Sequence, residues 1–161
     1  MKMSPQDKKL DEMLRSSTLV AGGFMGSDRR SVFEVIESDA ATLDKAGLNA
    51  AMVARQMREL TAAAQAGLGT WVDVDKGRIR VMSEDYKGVL VCPWGHAGHY
   101  RKRITIVECP ETGQTLTWSD LNIHLIEAHG FFEGQGSAFR VEPDQAAAIL
   151  FEKDKIGRAH V

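Results

Sequence analysis

The sequence has little cysteine and little proline: two cysteines, Cys92 and Cys109, and four prolines. Two thiols cannot build the disulfide framework that staples small secreted domains, so the fold has to come from a hydrophobic core. There is also no apolar run approaching the roughly 20 residues that cross a bilayer. The opening stretch, MKMSPQDKKLDEMLRSS, mixes acids and bases where a secretory leader would be apolar. These absences point to a cytoplasmic protein without a membrane partner, whose cysteines are free thiols or metal ligands. An excess of one charge is missing as well: 20 Lys and Arg against 22 Asp and Glu leave a net charge of −2. Nucleic acid is therefore an unfavoured partner, since any binding to it would have to come from a local basic patch.

What is present suits one domain. A chain of 161 residues with 43% hydrophobic and 26% charged residues can bury a core without staples. Residues 1–30 read as weakly ordered, because VAGGFMGSDRR carries three glycines. Ser31 and Glu34 then form a capping box ahead of a helix with Val32, Val35, Ile36 and Leu43 on one face, stopped by Gly47. Asn49 caps a second helix running to about Ala66, with Val53, Met57, Leu60 and Ala64 as its stripe.

From Trp71 the period changes to two. WVDVDKGRIRV alternates about the turn Asp75-Lys76-Gly77, and GVLVCP, RKRITIVEC and QTLTWS continue an antiparallel meander of about five short strands. DLNIHLIEAHG follows as a short helix, with Thr117 and Asp120 as its start signal. AFRV reads as strand-like, and a last helix begins at Pro143. The expected fold is α+β: an N-terminal helical pair followed by an antiparallel β-meander, covered by the short histidine-bearing helix. It occupies residues 31–152 as a single domain, with a frayed tail at 153–161. No internal repeat or low-complexity tract occurs.

The residues with chemistry fall between positions 92 and 129: Cys92, His96, His99, Cys109, His124 and His129. Zinc takes thiolate and imidazole. Pairing GVLVCP with RKRITIVEC sets Cys92 near Arg103 and leaves Cys109 about 20 Å away at a strand rise of about 3.3 Å per residue. Cys109 is then an outsider, and the two thiols share neither a metal nor a disulfide. The PETG turn returns Trp118 to Thr105 and the histidine helix to the Cys92 end. That places Cys92, His96 or His99, and His124 within reach of one site, with His129 as a further ligand.

On an ideal helix His124 and His129 flank the Leu121, Leu125 and Ala128 face about 140° apart and do not point the same way. The metal reading therefore stands beside a plainer one, half-buried histidines hydrogen-bonded at the edge of a core. HLIEAH matches neither H-E-x-x-H nor H-x-x-E-H, so no catalytic zinc signature is present.

The remaining features carry less. CPWGHAGHYRKR interleaves aromatic and basic residues, but three successive basic residues in a strand cannot share a face. GFFEGQGSAFRVEP, glycine-rich after the histidine helix, is the best candidate for one wall of a pocket, with that helix as another. The sequence reads as a small cytosolic binding domain of unassigned ligand with a structural zinc near Cys92 and His124. Its metal candidates are Cys92, His96, His124 and His129, and no residue is assigned to catalysis. Two alternatives stand beside it: a metal- or thiol-dependent enzyme built on the same residues, and a winged-helix-like DNA-binding regulator using Arg55 and Arg58. The partner is a small ligand or a protein, and the helical pair is compatible with self-association.

Overall fold

The computed structural model describes residues 3–159, with side chains described as far as Phe151. It is an α+β fold. Helices α1 (Pro5–Arg15), α2 (Val32–Lys45) and α3 (Ala50–Gln65) precede strands β1 (Val72–Val74), β2 (Ile79–Leu90), β3 (Tyr100–Cys109) and β4 (Gln114–Ser119). Helices α4 (Asp120–His129) and α5 (Pro143–Ala159) complete the chain. The four strands form one antiparallel sheet in sequence order. No helix among the described residues is long and apolar enough to cross a membrane.

Local chemistry explains most boundaries. Ser31 and Glu34 exchange both bonds of the capping box at the start of α2, and Asn49 Oδ1 accepts from Met52 N at the start of α3. The β1–β2 turn places Asp75, Lys76 and Gly77 at φ of 54°, 57° and 85°, the left-handed backbone a tight hairpin requires.

Alternation puts Ile79, Val81, Val107, Cys109, Leu116 and Trp118 on one sheet face, where they pack with Met57, Leu60 and Ala64 of α3 and with α4 and α5. Trp118 is fully buried, and its indole N–H donates to Thr61 Oγ1 at 2.9 Å. A second cluster lies beside this core. It joins Leu14, Phe24, Met25, Val32, Val35, Cys92, Leu121, Leu125 and Phe131, so Cys92 is embedded where α1, α2 and α4 meet.

Several expectations need correction. The N-terminal stretch contains α1, whose Ser4 accepts from Asp7 N and whose Pro5 fills the first turn, a signal that Ser-Pro carried in the sequence. Asp11 accepts from Val32 N, and Arg15 donates to the Asp28 carbonyl, which fastens this helix to α2. The meander has four strands, because the runs taken as two are one strand, β2, irregular between Asp85 and Val89. AFRV is not a strand. Helix α5 reaches Ala159, and residues 160 and 161 of the tail lie outside the described part.

Candidate metal centre

The site is built from one loop and one helix. β2 ends at Leu90 opposite Tyr100, so residues 91–99 form the connection and Cys92 lies in it. This corrects the expected pairing of Cys92 with Arg103, whose partner in β2 is Asp85. Cys109 pairs with Gln114 near the far end of β3, even farther from Cys92 than that register implied. Thr105 does pair with Trp118, as the turn arithmetic required.

Within the loop, the Cys92 carbonyl accepts from Gly95 N at 3.0 Å, closing a turn in which Pro93 takes the position suited to its fixed φ. That turn aims the backbone N–H groups of Trp94 and His96 at the Cys92 sulfur, where they favour the thiolate against the burial that pushes the thiol up. Strand pairing alone did not foresee this sulfur cradle, although Cys-Pro-x-Gly is a turn signal.

Helix α4 supplies the other side. It starts at Ser119 rather than at Thr117: Ser119 Oγ accepts from Asn122 N, and Asn122 Oδ1 accepts from Ser119 N. Gly130 ends the helix in the left-handed region at φ 64°. Leu121 and Leu125 are buried in the second core and Ala128 is exposed, with His124 and His129 half-buried on either side.

The two imidazoles nevertheless converge, with ring centroids 5.5 Å apart. An angular separation of about 140° means that they straddle a face. The Cys92 loop packs there, with Cys92 beside Leu121 and Leu125 and Trp94 against His129. His96 joins them at centroid distances of 5.3 Å from His124 and 4.8 Å from His129. His99 is exposed and does not take part.

Donor atoms of Cys92, His96, His124 and His129 all lie within 4.8 Å of one another. A tetrahedral zinc with Zn–N of about 2.05 Å and Zn–S of about 2.3 Å sets N···N near 3.3 Å and S···N near 3.5 Å, with imidazole centroids about 5.2 Å apart. The Cys92 Sγ···His129 Nε2 distance is 3.5 Å. All three centroid separations fall within about half an ångström of the tetrahedral value. Tightening the longest donor separation needs a shift of about 1.3–1.5 Å shared between two side chains, within the reach of side-chain rotation.

Two aromatic rings hold the ligands in place. Trp94 stacks on His129 at 4.0 Å and 9°, and Tyr100 on His124 at 4.6 Å and 28°. Burial, followed by the like charges of His96 and His124, pushes His129 down to about 4. Burial and then His96 push His124 down against the opposing charge of Glu127. The Nε2 atom of His124 is buried and has no hydrogen-bond partner. Burial thus favours the neutral, electron-pair-donating form of His124 and His129, while it holds the Cys92 sulfur toward its thiol, so metal binding there has to displace the thiol proton. Four protein donors are the number that fills a tetrahedral shell, whereas catalytic zinc sites keep one position open.

Elsewhere, the basic face of α3 is partly engaged: Arg58 donates to both carboxylate oxygens of Glu127 on α4 at 2.8 and 3.0 Å. Comparison with known protein families, with curated proteins and with solved structures gives no match.

Proposed function

We propose that this protein is a small binding domain whose loop 91–99 is fastened to α4 by a structural zinc ion, held by the Cys92 thiolate and the imidazoles of His96, His124 and His129. The carrying observation is the convergence of these four donors within 4.8 Å from a loop and a helix distant in sequence. Zinc suits a set of one thiolate and three imidazoles, and such a site contributes folding energy directly.

The decisive experiment is elemental analysis of protein purified without an affinity tag. One zinc per chain is expected, falling below a tenth in a Cys92→Ser, His129→Ala double variant. A metal-free wild type, or a double variant that keeps its zinc, overturns the reading. An enzyme built on the same residues requires an open coordination position or a fast-reacting thiol, which an iodoacetamide titration detects. A DNA-binding role requires duplex affinity that falls steeply with salt.

A further inference from the structure

A second cavity lies on the sheet face turned away from α3. It has a volume of about 300 Å³ and opens between residues 19–24, the paired ends of β2 and β3, the first turn of α4 and residues 133–139. The glycine-rich segment after α4 does form a pocket wall with the histidine helix, as its composition suggested. Most of the surface is apolar, from Leu19, Val20, Phe24, Leu90, Leu121 and Phe139. Lys102 lines it as well and is exposed, so its charge is screened by water.

Glu133 is the exception in this wall. It is only 5% exposed, and its backbone takes φ 70°, a left-handed conformation that a non-glycine residue adopts only under strain. One carboxyl oxygen accepts from Ser137 Oγ and the other from Asn122 Nδ2 at 2.5 Å. None of the ion pairs among the described residues includes it. Arg140 donates to the Glu133 carbonyl at 2.7 Å, but its guanidinium is engaged by Asp39 at 2.6 and 2.9 Å and by Glu142 at 3.0 Å. Glu133 therefore has hydrogen-bond donors but no ion-pair partner among the described residues, in the wall of a cavity large enough for a small organic molecule. Burial raises its carboxyl to about 7, against the lowering effect of Ser137, Asn122 and Arg140.

We propose that this cavity binds a small, largely apolar primary amine, its ammonium on the Glu133 carboxylate and its hydrocarbon body against Leu19, Val20, Phe24, Leu121 and Phe139. The proposal rests on the reading of this protein as a binding domain and names its ligand class; it does not depend on the zinc ion. An amine is favoured over an acid because an opposite charge counts for more at the buried carboxylate than at the exposed Lys102. An alcohol supplies a hydrogen bond without the charge. Proton balance is simple: where Glu133 is protonated, the incoming ammonium displaces that proton to solvent. The other charged groups near it are Lys102 on β3 and Arg140 before α5, the latter paired with Asp39 of α2 and with Glu142.

The test titrates the zinc-loaded full chain at pH 7.5 with hexylamine, 1-hexanol and hexanoate, following backbone amide shifts. Saturable hexylamine binding, at least tenfold tighter than either analogue, is expected, with shifts at Phe24, Leu121 and Phe139. Glu133→Gln should weaken it at least tenfold. Ala138→Trp, which fills the mouth from an exposed lining position, should abolish it and leave the zinc content unchanged. The proposal is overturned by non-saturable shifts, by equal or tighter binding of hexanoate or hexanol, or by an Ala138→Trp chain that binds hexylamine normally. Zinc content measured in the same samples separates the two ideas: loss of zinc with hexylamine binding intact counts against the metal centre alone.

Discussion

The Sγ atom of Cys92 lies 3.5 Å from Nε2 of His129, although the two residues are 37 positions apart and sit on a loop and a helix. That contact joins the second hydrophobic cluster to the C-terminal turn of α4, and a bound metal would tie the two together.

A metal at about a thousand times its dissociation constant stabilises a fold by about 4 kcal/mol. Cys92→Ser and His129→Ala are each expected to lose a stabilisation of that order and to lower the melting temperature. Adding a chelator to the wild type should lower its melting temperature toward theirs and leave theirs unmoved. Differential scanning calorimetry reads both effects, and a chelator-insensitive wild type contradicts the metal centre.

Cys109 supplies the contrasting control. It is 9% exposed in the main core, beside Leu116 and Val107, and takes no part in the donor cluster. Cys109→Ala should cost about 1 kcal/mol in urea denaturation and leave the zinc content at one per chain. A drop in bound metal would mean that the assignment of thiols is inverted.

The pH dependence of stability should carry the signature of Glu133. Its carboxyl is raised from 4.5 to about 7 by burial. Between those values the native chain holds a proton that the unfolded chain has released. Native stability from this group is therefore complete at the acid end and is lost as pH rises through about 7. Glu133→Gln, which cannot ionise, should flatten that part of the profile. Urea midpoints of the two proteins from pH 4.5 to 8 make the comparison, and parallel profiles would contradict the assignment.

Trp118 anchors the sheet to α3 through a short polar chain. Its Nε1 donates to Thr61 Oγ1, which shares a second hydrogen bond with Thr105 Oγ1, both at 2.9 Å and both buried. Thr61→Val preserves the shape and strands the indole N–H and the Thr105 hydroxyl. A cost of about 1–3 kcal/mol is expected, seen as a lower urea midpoint with an unchanged slope.

Much of the secondary structure was legible because its determinants are local. The Ser31–Glu34 box, the Asn49 cap and the Asp75-Lys76-Gly77 turn act over three or four residues, and each stands where its residues predict. Register was legible only where a short turn fixed it: the PETG turn determines that Thr105 faces Trp118. Across the nine-residue connection between β2 and β3 the same arithmetic fails, because the loop and the irregularity between Asp85 and Val89 each absorb residues that a strict ladder would pair. α1 was not legible because its Ser4-Pro5 start signal precedes a short, polar helix, and the glycines at 22, 23 and 26 mark the irregular backbone after it.

The sequence by itself determined which side chains were available: the Cys92 thiol and the imidazoles of His124, His129 and either His96 or His99, with Cys109 at the other end of its strand. Tertiary structure decided that they meet. Helix periodicity sets the directions of His124 and His129 but not what lies above the face they straddle, and that depends on the path of a loop whose anchors are the Leu90–Tyr100 pair and the buried Cys92. The same division holds for Glu133. Its identity is plain in the sequence, while its lack of an ion-pair partner among the described residues follows from Arg140 being taken by Asp39, a partner on α2 that only folding brings beside it.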